Sequence, residues 1–133
     1  MKTIVKMLLL LLWSVSVNAQ ARLVKTEEEI RKDFPKTKFT SGTTYDGYKY
    51  ISMDYPMGIF IYMFDEVGSC NFNMFLIKDL EDANLLAERY NSKYLIIGDG
   101  KWKAMTEDNY IMYIQLVYDN EFKAYIFKYT LEI

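Results

Sequence analysis

Hydrophobic spacing along the chain switches between two periods. In DLEDANLLAERYN, Asp79 to Asn91, the residues Leu80, Ala83, Leu86, Ala87 and Tyr90 recur every three or four positions, the mark of an amphipathic helix. Asp79 is placed to accept from the free N–H groups of the first turn, and Glu81 and Asp82 put negative charge at the positive end of the dipole. Asn91, tolerant of left-handed backbone, is the expected end. A shorter helix is predicted from the capping box Thr26-Glu27-Glu28-Glu29. Ile30 and Phe34 share its face, and Pro35 disfavours helical geometry at the residue before it.

Elsewhere the pattern is that of strands. Expected strands cover 36–44, 48–54, 59–64, 69–77, 94–97, 102–105, 110–118 and 121–130, separated by turns at Asp46-Gly47, Pro56 to Gly58, Asp65 to Gly68, Gly98-Asp99-Gly100, Thr106 to Asn109 and Asp119-Asn120. The predicted fold is α+β, with two helices packed on one face of an antiparallel sheet of six to eight strands. Three landmark pairs recur at similar offsets: Phe34 and Tyr90 are 56 apart, Asp46 and Asp99 are 53 apart, Phe64 and Tyr118 are 54 apart. That spacing suggests a tandem helix-plus-strands repeat with halves at about 26–77 and 79–131. Chance spacing is the alternative, because turns and aromatics are common here.

Hairpin parity sorts the strand residues into two faces. A four-residue turn at Asp65 to Gly68 sets Phe64 opposite Ser69 and Tyr62 opposite Asn71. Ile59, Ile61, Met63, Cys70, Phe72 and Met74 then share one face, and Phe60, Tyr62, Phe64, Asn71 and Asn73 the other. A two-residue turn at Asp119-Asn120 sets Tyr118 opposite Glu121. It joins Met112, Ile114 and Leu116 with Tyr125 and Phe127, and Tyr113 and Gln115 with Ala124, Ile126 and Lys128. The aliphatic face is expected to meet the helices. The mixed face of Phe60, Tyr62, Phe64, Asn71, Asn73, Tyr113 and Gln115 is the candidate binding surface, since recognition surfaces favour aromatics beside hydrogen-bonding groups. Structural cross-strand pairing is the competing explanation.

Composition adds a location. Lys2 and Lys6, the apolar run Met7 to Trp13 with Val15 to Val17, and Val17-Asn18-Ala19 have the layout of a secretory signal peptide. Cleavage is expected after Ala19, with Ala21 a second possibility, leaving 20–133 as a single secreted or periplasmic domain. N-terminal sequencing of the exported product should find neither Met1 nor Lys2. Without the two leader lysines the chain has 14 basic and 18 acidic residues, a net charge of −4. A mildly acidic domain with no basic block is a poor nucleic-acid binder. It also lacks the cationic amphipathic helix of a membrane-surface protein, so no stable membrane insertion is expected after leader removal.

Candidate chemistry is sparse. The chain has no histidine and one cysteine, Cys70, which excludes the usual serine and cysteine triads, zinc sites built from Cys and His, and an internal disulfide. No cation lies near Cys70 in sequence to stabilise a thiolate, and parity places it inward, so an inert core thiol is expected. The carboxylate pairs Asp65/Glu66, Glu81/Asp82 and Glu107/Asp108 sit at turns or in a first helical turn, where structure alone explains them. No catalytic residue, metal site or cofactor is expected.

The opening Ile30-Arg-Lys-Asp-Phe-Pro-Lys-Thr-Lys-Phe39, a short helix ending in Phe-Pro and running into a strand, and the strand and turn Tyr62-Met-Phe-Asp-Glu-Val-Gly68 resemble elements of small periplasmic PepSY-like and beta-lactamase-inhibitor-like (BLIP-like) proteins. Glu88-Arg-Tyr-Asn-Ser-Lys-Tyr94 with Lys101-Trp-Lys103 is similar to secreted bacterial proteins with no assigned activity. The resemblance implies a two-layer fold and a binding or inhibitory role; it transfers no functional residue. The expectation is a non-catalytic exported protein that binds another protein or a small envelope ligand. An acid-dependent hydrolase and a structural surface component are the alternatives.

Overall fold

The computed structural model describes residues 23–106 and 108–132. The expected signal peptide lies outside the described residues, as does Glu107. Among the described residues two helices, α1 (Glu27–Asp33) and α2 (Leu80–Lys93), accompany eight strands. These are β1 (Phe39–Thr43), β2 (Lys49–Tyr55), β3 (Gly58–Phe64), β4 (Cys70–Ile77), β5 (Leu95–Gly98), β6 (Lys101–Met105), β7 (Ile111–Asp119) and β8 (Ala124–Leu131). They form one antiparallel sheet in the order β1-β2-β3-β4-β8-β7-β6-β5, so the protein is α+β. Each run of four strands is a meander, and the last strands of the two meanders meet at the sheet centre.

Helix boundaries follow from their caps. The Thr26 hydroxyl accepts from the Glu29 N–H while the Glu29 carboxylate accepts from the Thr26 N–H, closing the capping box. Asp79 accepts from the N–H groups of Glu81 and Asp82. α2 runs two residues past the expected stop, to Lys93, and Tyr94 caps it by donating its N–H to the Tyr90 carbonyl at 2.8 Å. Asn91 stays helical and its Oδ1 accepts the Trp102 indole N–H at 2.8 Å, a contact that competes with an end at Asn91. Ala83, Leu86 and Tyr90 are buried, but Leu80 is exposed.

The core contains more than the pattern suggested. Leu23 is buried, and the stretch before α1 pairs beside β4: Val24 N–H donates to the Cys70 carbonyl and Cys70 N–H to that of Lys25. At the centre, Tyr90 presents its ring to Phe127 (5.6 Å, 86°) and Trp102 (5.5 Å, 69°), and its hydroxyl shares a 2.7 Å hydrogen bond with that of Tyr129. Phe60 and Phe75 stack at 4.0 Å across β3 and β4.

Both long hairpins depart from the expected register. β7 and β8 pair Asp119 with Ala124, Tyr118 with Tyr125 and Gln115 with Lys128, so residues 120–123 form the turn. Asp119 Oδ1 accepts from the N–H groups of Glu121 and Phe122, and Lys123 takes a positive φ of 50°. The slip from the expected pairing is even, so the faces survive: Met112, Ile114, Tyr125 and Phe127 do share one. In the β3–β4 hairpin, Tyr62 faces Asn73 rather than Asn71, and Phe64 faces Cys70. Asp65 Oδ1 accepts from the N–H groups of Val67 and Ser69, and Gly68 supplies the left-handed residue (φ 85°). Asn71 is left between the Met63–Phe72 and Phe64–Cys70 pairs, as a β-bulge leaves its extra residue.

That bulge moves Cys70 onto the face of Phe60, Tyr62 and Phe64. The face itself is the reverse of the expected one. Phe60, Tyr62, Phe64, Cys70, Asn73 and Phe75 are buried, whereas Ile59 is exposed and Ile61, Met63, Phe72, Met74 and Leu76 are half-buried. The sequence Ile-Phe-Ile-Tyr-Met-Phe is apolar on both faces, so periodicity fixes which residues go together but not which group is covered. The larger aromatic set is the covered one.

Candidate binding face

The proposed surface does not assemble as expected. Phe60, Tyr62, Phe64 and Asn73 belong to the buried interior, with Tyr62 and Asn73 at 0% exposure. Asn71 is exposed at the bulge. Tyr113 and Gln115 lie on the opposite, outer face, whose strand pairs continue those of Ile61 and Met74. Among the described residues both polar atoms of the Asn73 amide lack a hydrogen-bond partner, an expensive position for an amide flanked by Tyr62 and Tyr129 in the ladder.

The outer face has its own order. One row runs from strand to strand as Ser52, Ile61, Met74, Lys128, Gln115 and Lys101. A second runs Tyr50, Met63, Phe72, Thr130, Tyr113 and Lys103. Side chains two apart on a strand share a face, so these rows stand beside each other. The face is therefore apolar over β3–β4 and basic and hydrogen-bonding over β8–β7–β6.

Two concavities follow this division. A groove of about 830 Å³ has a floor of Ile59, Ile61, Met63, Met74 and Leu76. Phe122, 58% exposed in the β7–β8 turn, forms one wall, and Asp54, Lys78 and Asp79 lie along the rim. A smaller hollow of about 280 Å³ adjoins it across the β4–β8 pairing, among Phe72, Lys101, Tyr113, Gln115, Lys128 and Thr130. The volume of the groove is within the usual range for small-ligand sites, and its apolar floor with a few polar rim groups is their usual composition.

Sequence reasoning picked out Tyr113 and Gln115 but missed the groove. Phe122 sits in a turn that a two-residue reading gives to the strand. Lys128 comes from β8 and Lys101 and Lys103 from β6, so only the order β8-β7-β6 brings them together. Tyr113 donates its hydroxyl to Glu132 Oε1 at 2.7 Å, and that carboxylate contact raises the phenol above its ordinary pKa.

Burial pushes the Cys70 thiol up to about 12, so it stays protonated and unreactive at neutral pH. The Glu27 carboxyl is held below the usual carboxylate range by the Lys49 ammonium first and by Arg31 second. Among the described residues no helix is long and apolar enough to cross a membrane. Comparison of the chain with protein-family models, with curated proteins and with solved structures finds no match.

Proposed function

We propose that this chain is an exported, non-catalytic binding protein whose ligand or partner occupies the groove on the outer face of the sheet. The carrying observation is that groove: an apolar floor of Ile59, Ile61 and Met74 left accessible on a face whose opposite side holds the packed aromatic core. An apolar concavity of this size exposed to water is more often functional than incidental. The signal-peptide layout of the leader supports a secreted or periplasmic location. On this reading the helices serve as cover for the inner face. Support comes from the Tyr90 contacts to Trp102, Phe127 and Tyr129 and from the complete burial of Ile30.

We take the two halves as copies of one unit. Each runs helix then four strands, and β4 meets β8 antiparallel at the centre, as a twofold relation between halves requires. The PepSY-like and BLIP-like resemblance agrees with a tandem unit and an inhibitory or binding role.

The test is capture from envelope extract with the full chain, with protein and extractable small molecules both identified. The control is the variant Ile59→Lys with Phe122→Ser. Both positions are exposed, so each replacement should shift stability by no more than about 0.5 kcal/mol. The reading expects the variant to keep its melting temperature and lose the ligand. A folded variant that retains every captured species would refute it.

A further inference from the structure

The outer face has a direction, and that direction specifies a ligand. Its β3–β4 half is apolar. Its other half places Lys128, Lys101 and Lys103 around Gln115, Tyr113 and Thr130, with Lys128 directly beside Met74 in the ladder. Among the described residues none of these three lysines forms an ion pair. The Glu132 carboxylate is engaged by the Tyr113 hydroxyl. The rim of the groove carries Asp54 and Lys78, with the Asp79 carboxylate bonded to the first-turn N–H groups of α2. The face thus runs from apolar floor to basic hollow. From Ile61 to Lys101 is four strand intervals, about 19 Å.

Building on the proposed binding role, we infer that the ligand is a single-chain anionic amphiphile, a long-chain fatty acid. Its acyl chain lies along Ile61, Met74 and Leu76, and its carboxylate sits in the hollow between Lys128 and Lys101. Two features of the hollow suit that head group. Lys128 and Lys101 flank Gln115 on neighbouring strands, so a carboxylate set over Gln115 has an ammonium on each side and an amide N–H beneath. The ammonium groups lie at one end of the face and the apolar floor at the other, so the two ends fix one orientation. A neutral or cationic chain of the same length gains only the groove.

The test titrates the delipidated full chain with palmitate, hexadecanol and cetyltrimethylammonium, and separately with vesicles of phosphatidylglycerol and phosphatidylethanolamine. Palmitate should bind saturably at one per chain and more tightly than the other two. The variant Lys101→Gln with Lys128→Gln, melting as wild type, should weaken palmitate by about tenfold, the loss expected of two solvent-accessible charge contacts, and leave hexadecanol unchanged. Added salt should weaken palmitate alone. Absence of saturation, equal affinity for the three probes, an equal loss of hexadecanol in the lysine variant, or binding to vesicles alone would each overturn the inference. A protein captured through the groove, with no palmitate bound, sinks the fatty acid but leaves the binding role standing. No groove-dependent ligand of any kind removes both.

Discussion

Phe127→Ala is expected to destabilise the protein by about 3–5 kcal/mol, the range for truncating a fully buried aromatic. Phe127 is at 0% exposure on β8, one of the two central strands. It pairs with Phe75 of β4, so it joins the two meanders, and it takes the Tyr90 ring of α2 edge-on while lying nearly parallel to Trp102 at 6.1 Å. Three aromatic partners from three different elements thus lose one common surface. Backbone hydrogen bonds hold the β4–β8 ladder in place, so the site cannot collapse freely and the cavity cost adds to the lost transfer energy. Urea unfolding followed by far-ultraviolet circular dichroism should show the midpoint fall. Phe127→Leu, which retains most of the volume, should lose distinctly less. A loss below about 1 kcal/mol for the alanine variant would mean that Phe127 is not a shared contact of helix and sheet.

Both helices and all eight strands were legible because each rests on local signals. The Thr26–Glu29 box and the Asp79 cap set helix starts that need nothing distant. What was not legible is what depends on pairing. Asp65 and Asp119 each bond two N–H groups further along the chain; the Asp119 turn shifts its register by four residues, and the Asp65 turn shifts its register by one at Phe64–Cys70, with a second step added at the bulge. In β7–β8 the polar Gln115 and Lys128 sit on one face, so the pattern identified the other as core, and the assignment survived the slip. In β3–β4 both faces are apolar, and the alternation carried no sign. The extra residue at Asn71 then returned Cys70 to the interior with the aromatics. Of the candidate surface, Tyr113 and Gln115 remain on an accessible face, because theirs was the hairpin whose polar residues oriented it. The hydrophobic groove needed Phe122 from a turn and floor residues assigned to the core, so periodicity alone could not reveal it.

Alkali is expected to weaken the fold from about pH 8.5 upward. Two buried groups lead this, with Tyr94, also raised by burial, adding to it. Cys70 is pushed up to about 12 by burial, and Tyr129, fully buried with its hydroxyl bonded to that of Tyr90, is pushed up for the same reason. In the unfolded chain a thiol ionises near pH 8.5 and a phenol near pH 10. Above those values the unfolded state holds fewer protons than the folded state, so stability falls as pH rises. It is complete below the unfolded values, and for Cys70 it declines until about pH 12, where the folded thiol also ionises. Each group contributes about 1.4 kcal/mol per pH unit within its window. Cys70 alone should therefore remove about 2 kcal/mol between pH 8.5 and pH 10, and Tyr129 should steepen the decline beyond that. Urea midpoints measured from pH 7 to pH 11 give the slope. Cys70→Ala should abolish the part that begins below pH 10, and Tyr129→Phe should flatten the part that begins near it, whatever each variant costs at pH 7. A wild-type midpoint that stays flat to pH 11 would show that neither group is held protonated by the fold.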